Sequence, residues 1–553
     1  MECHFGPVAG LGMSFNSWYP PVSFMDTMTS PQMIEPVSSL YQAHTLSVPI
    51  DHFPTDPSYE PHSKASFKLR YWFDATSFKP GGPVIVFLAG ETEGTNRLPS
   101  LQNGIIAQLT QATAGIGVVL EHRYYGKSIP TPDFSTANLR FLTTQQAMAD
   151  AVYFAQSIVF PGLEKHNLTS LTTPYISYGR SYSGAQSAFL RVKYPDTFWG
   201  SIASSSPVKP SWDFWQYSNA IIKYGPRDCI RKQQAFVHVI DVLLMGKAKC
   251  TPAEKCSAAR LKSAFGVGKL THNDDLAFAL LAPLGGWQQM HWIPALNSDI
   301  FPKYCKTITS SSIVYPGTKR LRDQVRLLIK SSDAADDAQL TISMLNLIGY
   351  FKATTLSGCR GCNPDRCLGM RNAKENARSD LRQTWRSWRY QVCTQWGLHV
   401  TGSGTPANQR PIISRLVTPE YLSIICREAF NITSEPKLSS VLAYGGNRMA
   451  RDRLAFVDGE RDPWRPAGPH GFEYGAPRRK SSITRPFLLI DGGVHGWDTF
   501  GVWPNETTAN FPPKSVQSVH KQMIKFAKAW VREYHVKHSR RTKAVGSSAG
   551  LTS

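Results

Sequence analysis

The sequence predicts an α/β fold in which a parallel sheet is covered by helices on both faces and interrupted by a large, mainly helical insertion. Continuous apolar runs alternate with helical periodicity up to about residue 206, and the same alternation returns after about residue 445. Strands buried on both faces give such unbroken apolar runs, because helices cover the two sides of a parallel sheet. The stretch between them is rich in helical patterns, loops and cysteines.

The first stretch alternates strands and helices, as a parallel sheet requires. The predicted strands are 83–89, 117–120, 175–178 and 200–204. A helix over 143–160 is predicted by a candidate N-cap at Thr143 or Thr144 and by apolar residues at helical spacing from Ala147 to Ile158. A second helix is expected over 185–194, directly after a Gly-rich turn.

The alternation stops near Pro207 and resumes with predicted strands at 454–457 and 487–490. A last helix is predicted over 515–534, where apolar residues recur on one face. We therefore expect five regions along the chain. They are an N-terminal tail (1–45), the first part of the α/β domain (46–206), a helical insertion domain (207–445), the second part of the α/β domain (446–535) and a basic, disordered tail (536–553).

The composition describes a large globular protein. Hydrophobic residues make up 42% of the 553 residues and charged residues 18%, which is enough apolar material for a large core. The longest strongly apolar run, 84–89, is far short of the ~20 residues of a membrane helix, so no membrane span is expected. The net charge of +21 is spread thinly and comes with no nucleic-acid-binding motif. We expect a solvated basic surface and no nucleic-acid partner.

The cysteines and the glycosylation sequons favour an oxidising, secretory environment. The chain has ten cysteines, and Asn-x-Thr sequons begin at Asn167, Asn431 and Asn505. The cysteine cluster at 359–367 is alternatively a zinc site, although no second cysteine pair or histidine lies near it. The first residues lack the basic region of a signal peptide, which conflicts with export by that route. The expected location is secreted, vacuolar or lysosomal.

The segment from Tyr178 to Gly184, Tyr-Gly-Arg-Ser-Tyr-Ser-Gly, joins a predicted strand to a predicted helix. This is the context of a nucleophile elbow, a tight turn that lifts a serine hydroxyl above the edge of a sheet. Small residues at 179, 183 and 184 allow the strand and the helix to approach closely. Ser181 is therefore the candidate nucleophile, and an ordinary Gly/Ser turn is the alternative.

A serine hydroxyl needs a base to accept its proton and an acid to orient that base. In a sheet of this type the acid and then the histidine follow the serine along the chain, each after a strand. His495 follows the last predicted strand and is the candidate base. Asp462 follows the strand before it and is the candidate acid, with Asp458, Glu460 and Asp491 as competitors.

The negative charge that develops on the substrate needs an oxyanion hole. The expected donors are the N–H of Tyr182 and an amide of the loop after an early strand, where Gly90 lies. Glu91, in the same loop, is either a buried structural carboxylate or a group that contacts substrate. This chemistry needs no metal and no organic cofactor.

These motifs and several others resemble the prolyl-carboxypeptidase-like serine peptidases (serine peptidase family 28) over about residues 46–535. The group includes lysosomal Pro-Xaa carboxypeptidase, dipeptidyl peptidase II and fungal secreted acid prolyl peptidases. The matching segments, in family order, are Val48–Phe53, Gly90-Glu91, Glu121–Ser128, Leu142–Ala147, Gly179–Gly184, Tyr194–Asp196, Ala203–Val208, Tyr390–Gly397, Asp462–Trp464 and Gly492–His495 with Asp498. The elbow, Asp-Pro-Trp and Gly-Gly-x-His together make the resemblance specific.

The resemblance implies an α/β-hydrolase fold with a helical, disulfide-bearing insertion that caps the active site. It implies the same serine, aspartate and histidine as nucleophile, orienting acid and general base. Trp464 would help to line a pocket for proline, and Cys393 would pair with Cys426. The family works in acidic compartments or secreted fluids and often forms homodimers.

Four positions depart from the family pattern. Arg180 stands where the family usually has Gly, Val494 and Gly496 replace the common Ala and His, and Asp458 replaces a usual Asn. These changes bear on substrate preference more than on catalysis.

We therefore expect a serine exopeptidase that cleaves proline-containing peptides or proteins after proline through an acyl-enzyme, with Pro-Xaa carboxypeptidase as the preferred reading. Prolyl endopeptidase and dipeptidyl peptidase are alternatives within the family, and Glu91 could hold a substrate amine in the latter. A lipase or esterase on the same fold is a further alternative. A non-catalytic binding protein is opposed by the complete set of serine, acid and histidine.

Overall fold

An eight-stranded sheet is built from the parts of the chain that come before and after the insertion. The computed structural model describes residues 37–248, 257–334, 337–359 and 361–549. The strands are β1 (His44–Pro49), β2 (Ser66–Asp74), β3 (Val84–Leu88), β4 (Ile116–Leu120), β5 (Tyr175–Arg180), β6 (Gly200–Ser204), β7 (Ser211–Asp213), β8 (Gly397–His399), β9 (Leu454–Gly459) and β10 (Phe487–Ile490).

The α-helices are grouped around these strands in chain order. Before β7 they are α1 (Val37–Leu40), α2 (Pro99–Gln102), α3 (Ile105–Thr113), α4 (Thr136–Leu139), α5 (Thr144–Ser157) and α6 (Tyr182–Lys193). Between β7 and β9 they are α7 (Tyr217–Tyr224), α8 (Arg227–Leu244), α9 (Ala258–Phe265), α10 (Asn273–Ala279), α11 (Ala282–Gly285), α12 (Ile300–Ile308), α13 (Arg322–Lys330), α14 (Ala338–Thr354), α15 (Pro364–Leu368), α16 (Ala373–Asn376), α17 (Trp385–Gln391), α18 (Pro419–Leu422), α19 (Ile424–Phe430) and α20 (Ser439–Leu442). After β10 comes α21 (Lys514–Ala549).

The strand order of the large sheet is β1-β2-β4-β3-β5-β6-β9-β10. β2 is antiparallel to both of its neighbours, β1 and β4. The other strands of this sheet are parallel to one another, namely β4, β3, β5, β6, β9 and β10. An early antiparallel strand, a crossed β3–β4 order and a nucleophile strand at the centre define the α/β-hydrolase fold. The carboxyl ends of β5, β9 and β10 therefore lie at one edge of the sheet, where the predicted catalytic groups follow.

Helices cover both faces of this sheet. Successive side chains of a strand point to opposite faces. In β5, Ile176 and Tyr178 belong to the core cluster that includes residues of α3 and α21. Ser177, between them, bonds to Ser187 of α6 on the other face. The unbroken apolar character of the central strands follows from this double coverage.

The contact of α21 with the sheet depends on one small residue. A Cβ at Gly200 would lie 2.6 Å from the indole of Trp530, so only glycine lets this ring lie against β6. The indole N–H donates to the carbonyl of Ile483, and Trp199 donates to the carbonyl of Trp530. Trp530 is 1% exposed. The helix is thus fixed to the sheet by apolar packing and by two indole hydrogen bonds.

The helix α21 continues beyond the predicted end. We expected a disordered tail from 536, whereas the helical backbone runs to Ala549. No glycine or proline interrupts 535–545. His535 bonds to the carbonyl of Gly81 through Nε2, and the ring of His538 stacks on Tyr534 with centroids 3.8 Å apart. The helix propensity of this segment and these contacts favour the helix more than repulsion between its positive charges disfavours it.

The chain forms two compact units. The sheet unit comprises 37–210, 292–295 and 439–549 of the described residues, and the helical unit comprises Ser211–His291 and Leu296–Leu438. The helical unit contains α7 to α19 and a two-stranded parallel sheet of β7 and β8. The pattern of apolar residues did not predict β7 and β8, because each is only three residues long.

Disulfides link elements within the helical unit. They join Cys229 to Cys305, Cys359 to Cys367, and Cys393 to Cys426. The zinc alternative for the 359–367 cluster is therefore wrong, because two of its thiols are bonded to each other. In the described ranges, no group of three or more His, Cys, Asp or Glu side chains is arranged to hold a metal ion.

The N-terminal boundary also differs from the prediction. Residues 1–36 of the expected tail lie outside the described residues, but α1 and the start of β1 at His44 fall within it. β2, which the sequence analysis did not predict, alternates polar and apolar residues at its start and so lacks the continuous apolar run of a central strand. Over the described part of the chain, no helix has the length and apolar character needed to cross a membrane.

Candidate active site

Ser181 lies in a strained turn between β5 and α6. Its φ of 63° and ψ of −129° put it in a region that non-glycine residues rarely adopt, and the hydroxyl-bearing residue is 7% exposed. The turn requires small neighbours: a Cβ at Gly179 would lie 1.9 Å from the carbonyl oxygen of Ser183, and one at Gly184 would lie 2.6 Å from that of Ser204. This is the geometry of a nucleophile elbow.

Asp462 and His495 are hydrogen-bonded to each other. Asp462 follows β9, His495 follows β10, and the two atoms that meet are Oδ2 and Nδ1, 2.9 Å apart. A carboxylate oxygen accepts, so the imidazole donates through Nδ1 and keeps Nε2 as a proton acceptor. The second oxygen of Asp462 accepts the N–H of Trp464 at 2.9 Å. Asp462 is 1% exposed, so its position is fixed on both sides.

The loop that carries His495 packs against the elbow. A Cβ at Gly496 would lie 2.2 Å from Cδ of Arg180, the residue before Ser181. The N–H of Gly496 also donates to Oγ of Ser205, 2.8 Å away, just beyond the end of β6. Ser181, Asp462 and His495 therefore follow strands that end at one edge of the sheet, and the residues next to Ser181 and His495 in the chain, Arg180 and Gly496, are in close approach.

The competing acids have other partners. Asp458 bonds to Nδ1 of His470 at 2.6 Å, and both side chains are buried. Glu460 accepts the N–H of Gly492 at 3.1 Å. Asp491 is exposed. Among the four acids considered, Asp462 is the one that bonds to His495. The partner of Asp458 was missed because His470 stands in a loop with no motif of its own.

The two segments predicted to form the oxyanion hole touch each other. Gly90 has a φ of 74°, and a Cβ there would lie 2.9 Å from the Cβ of Ser183 in the first turn of α6. Tyr182 begins this helix, and the N–H groups of a first turn point beyond the helix N-terminus. Its side chain is buried, where His122 and Gln186 bond to the hydroxyl. The elbow is thus held from both sides.

Glu91 lies in a cationic environment. One of its carboxylate oxygens is buried and has no hydrogen-bond partner within the described residues. Burial raises the pKa of Glu91, and the positive charges of Arg97 and Arg180 oppose that increase. Arg97 was not among the predicted site residues, because it stands in a short 3-10 helix (Gly94–Arg97) without a recognisable pattern.

Asp498 is a buried acid whose hydrogen bonds connect the elements that carry the candidate site. Its oxygens accept the hydroxyls of Ser204 at 2.6 Å and Tyr178 at 2.9 Å, and so connect β5, β6 and the loop after β10. Burial raises the pKa of Asp498 to about 6. Its backbone carbonyl also bonds to Nε2 of His520 in α21, 2.8 Å away.

Other residues of the matching motifs are structural. Arg123 is fully buried and bonds to both oxygens of Asp150 at 2.6 Å and to the carbonyl of Ile50. Glu121 binds Arg70 through Nε at 2.9 Å and also accepts the hydroxyl of Ser128. These side chains join the antiparallel edge of the sheet to the loop after β4.

The remaining predicted residues lie as follows. Trp464 is buried next to Asp462. The asparagines of the three sequons, Asn167, Asn431 and Asn505, are exposed. Asn431 is the left-handed C-cap of α19, with a φ of 57°.

Comparison with known proteins finds one family across most of the chain. A family model described as "Serine carboxypeptidase S28" matches residues 49–510. A "Probable extracellular serine carboxypeptidase" of Arthroderma benhamiae is 45% identical over 500 residues, which cover 90% of this chain and 69% of that protein. A "Serine protease vicPb" of Bipolaris victoriae is 30% identical, over 86% of this chain and 87% of that protein.

A more distant relative is also named a serine protease. The human "Thymus-specific serine protease" is 28% identical over 72% of this chain and 73% of its own length. Among solved structures, a proline iminopeptidase of Mycobacterium smegmatis has 12% identity and a TM-score of 0.30, covering 89% of this chain and 100% of that chain. An open-form lipase has 10% identity and a TM-score of 0.30, covering 89% of this chain and 99% of that chain. Likenesses this low carry no functional argument.

Proposed function

The chain belongs to the serine carboxypeptidase S28 family and is a serine-type peptidase, and from this premise we propose that it cleaves peptide bonds on the carboxyl side of proline through Ser181, Asp462 and His495. The observation that supports the proposal is the hydrogen bond between Asp462 and His495 at the sheet edge where the strained turn of Ser181 also lies. A histidine held by a buried acid at the end of a neighbouring strand is what a serine nucleophile requires.

The reaction proceeds in two halves. His495 takes the proton from Oγ of Ser181 as that oxygen attacks the scissile carbonyl carbon, and the carbonyl π electrons move to the oxygen. The N–H groups of Tyr182 and Gly90 stabilise this oxyanion. When the tetrahedral intermediate collapses, the C–N bond breaks and His495 gives its proton to the leaving amine. Water, deprotonated by the same histidine, then releases the proline-ended product and restores the serine.

Selection of proline would depend on shape. Proline has no N–H, so a closed apolar pocket can receive it without a backbone acceptor. Trp464 supports such a pocket, because its amide is bonded to Asp462 and its position relative to the acid is therefore fixed. In this proposal its indole contributes an aromatic wall next to the reacting carbonyl.

Carboxypeptidase action is the preferred mode. The relative from Arthroderma benhamiae carries that activity in its name. Prolyl endopeptidase, dipeptidyl peptidase and esterase activities use the same three groups and are the alternatives. For location, the relative is named extracellular, and disulfides and exposed sequon asparagines suit an oxidising environment. Glycosylation at Asn167, Asn431 and Asn505 belongs to the same proposal.

A fluorophosphonate probe tests the nucleophile. Ser181→Ala should lose both labelling and peptidase activity, because removal of a triad member typically costs several orders of magnitude in rate. Ser201→Ala is a matched control, since the hydroxyl of this buried serine bonds to that of Ser177 in the neighbouring strand of the sheet. Labelling that persists in Ser181→Ala at another serine would overturn the assignment.

Peptides with blocked ends test the mode of cleavage. One peptide has a blocked N-terminus and a free carboxylate, the second has a free N-terminus and a C-terminal amide, and the third is blocked at both ends. Mass spectrometry should show release of the residue after proline from the first peptide. Cleavage of only the second or only the third would instead indicate a dipeptidyl peptidase or an endopeptidase. Turnover of short acyl esters without any peptide cleavage would favour the esterase alternative.

A further inference from the structure

Two arginines near the candidate active site, the buried Arg97 and the half-buried Arg180, lack a carboxylate partner among the described residues. Among the described residues, neither Arg97 nor Arg180 forms an ion pair with an acidic side chain within 4.0 Å. Nε of Arg180 is buried and has no hydrogen-bond partner there. Nε of Arg97 donates to the carbonyl of Ala89 at 3.1 Å, which satisfies a donor but leaves the charge unbalanced. Charges that are removed from water are normally paired with an opposite charge, so two guanidiniums without a carboxylate point to a ligand that supplies the negative charge.

The two arginines line one recess. The residues that border it include Arg97, Arg180, Asn96, Ser100, Phe87 and Phe500. The guanidinium of Arg180 lies 5.2 Å from the centre of the Phe500 ring, and that of Arg97 lies 5.6 Å from the centre of the Phe87 ring. Ser100 adds a buried hydroxyl without a partner among the described residues. The walls thus combine aromatic faces with donors, and donors bind anions.

The direction of Arg180 is set by the loop after β10. A Cβ at Gly496 would lie 2.2 Å from its Cδ and 2.9 Å from its Cγ. The arginine side chain therefore fills the space that a side chain at 496 would need. Arg180 and Gly496, which both depart from the family pattern, are therefore neighbours in space. The change at 180 introduces a positive charge next to the nucleophile, and the glycine at 496 leaves room for that side chain.

Resting on the proposed carboxypeptidase function, we propose that Arg97 and Arg180 bind the free C-terminal carboxylate of the substrate. The covalent geometry of a peptide places the carboxylate carbon of a C-terminal residue within about 4 Å of the scissile carbonyl carbon. Its receptor must therefore lie directly beside the nucleophile, and Arg180 is the residue adjacent to Ser181 in the chain. Guanidinium groups match a carboxylate with two parallel hydrogen bonds.

The electrostatics agree with this role. Burial lowers the pKa of Arg97 to about 9, and repulsion by Arg180 contributes to the decrease. Burial also lowers the pKa of Arg180, while the nearby Tyr178, Glu91, Asp498 and Asp462 oppose the change. A bound carboxylate would relieve the repulsion between the two guanidiniums. Glu91, whose pKa burial raises, does not neutralise them by direct contact.

The test compares one peptide in two forms. An N-blocked Ala-Pro-Phe substrate is offered with a free carboxylate and as the C-terminal amide, and kcat/KM is measured for each. We expect Arg180→Met and Arg97→Met, which keep length and remove charge, to lower the acid-to-amide ratio by about tenfold to a hundredfold. Arg180→Lys should restore part of the preference. A ratio that stays unchanged in both methionine variants would overturn the proposal.

Arg191→Met is the matched control. Arg191 is buried in the sheet unit and donates to the carbonyls of Asp452, Pro195 and Phe198, but it is not among the residues that border the recess. Its replacement should change the melting temperature and leave the acid-to-amide ratio as in the wild type.

A peptide amide with glutamate after proline tests whether the recess binds a side-chain carboxylate instead of the C-terminal one. If this amide, rather than the free acid, depends on the two arginines, the recess binds an acidic side chain and the proposal is wrong.

A separate readout distinguishes failure of this proposal from failure of the proposed function. Peptides that end in a free carboxylate should protect Ser181 from the fluorophosphonate probe better than their amides, and Arg180→Met should abolish the difference. This measurement needs no cleavage. Equal protection by acid and amide would count against the carboxylate site even if cleavage after proline is observed. Absence of cleavage with selective protection by the acid would count against the proposed function alone.

Discussion

Asp458 lies at the end of β9 and Asp462 follows it four residues later, and each is bonded to a different histidine. His470 bonds to the first, and the pair is buried, with the imidazole stacked on the ring of Phe487 at 3.7 Å. His495 bonds to the second at the edge of the sheet. The same chemical pairing therefore serves packing in one case and, in our proposal, catalysis in the other.

Replacement of each aspartate by asparagine separates these roles. Asp462→Asn should lower kcat by roughly a thousandfold to ten-thousandfold, because the amide no longer holds the imidazole in the productive tautomer. Asp458→Asn should instead lower the free energy of unfolding by about 1–3 kcal/mol, since a buried imidazole loses its carboxylate partner. Steady-state kinetics and urea unfolding of both variants check this. A large loss of kcat in Asp458→Asn with full labelling of Ser181 would reverse the assignment.

Asp498 predicts a dependence of stability on pH. Its pKa is about 6 in the folded protein against 3.8 when exposed, so the folded state holds the proton more tightly. A raised acid pKa favours folding at low pH, and the benefit is lost as the pH rises from about 4 to about 6. The difference corresponds to about 3 kcal/mol. The melting temperature of Asp498→Asn relative to wild type should therefore increase between pH 4 and pH 7. A difference that is constant over this range would contradict the prediction.

The sequence predicted the candidate site residues themselves better than it predicted the residues around them. Ser181 and His495 were recognisable because glycines and strands flank them in characteristic ways. Asp462 was the preferred acid, but the sequence left Asp458, Glu460 and Asp491 as competitors, since a few ångströms of loop geometry decide which carboxylate reaches the imidazole. Arg97 carried no signal, because its approach to Arg180 depends on the path of a short loop after β3.

At the scale of elements, the strands that carry the candidate site were the most predictable. β5, β6, β9 and β10 are mostly buried, and they were found close to their predicted positions. β2 was missed, because an edge region with a polar start lacks that pattern. The extension of α21 was missed because charge and small residues in the tail suggested disorder, while the structure continues the helix.

The packing of α21 on β6 can be tested by a double-mutant cycle. Trp530→Ala should lower the free energy of unfolding by about 3–5 kcal/mol, as a large buried ring is removed. Gly200→Ala should cost about 1–3 kcal/mol, because the new methyl group would lie 2.6 Å from the indole. In the Trp530→Ala background the second change should cost much less. Additive costs in urea unfolding would show that the two residues do not meet.

At the scale of the whole molecule, the covalent cross-links shown by the described residues lie in the helical unit. The three disulfides join residues 8, 33 and 76 positions apart. In the chain-entropy account, a longer closed loop restricts the unfolded chain more and stabilises the fold more. The sheet unit depends instead on its apolar core, with two layers of helices around parallel strands.

Paired cysteine-to-serine changes should follow this order. Loss of Cys359–Cys367 should lower the free energy of unfolding by about 2.5 kcal/mol, loss of Cys393–Cys426 by about 4 kcal/mol and loss of Cys229–Cys305 by about 4.5 kcal/mol. Calorimetry of the three variants, with the reduced wild type as a reference, measures the effect. If the shortest loop gave the largest loss, native packing around the sulfurs rather than chain entropy would account for their contribution.

The insertion leaves the sheet after β6 and returns at β9, and these strands are hydrogen-bonded neighbours. A long excursion between adjacent strands resembles an enlarged hairpin loop, and the entropy needed to close a loop grows only slowly with its length. The insertion could therefore change in length or sequence during evolution without disturbing the register between β6 and β9. A chimaeric protein that carries the corresponding segment of a relative between residues 210 and 439 would test this tolerance directly.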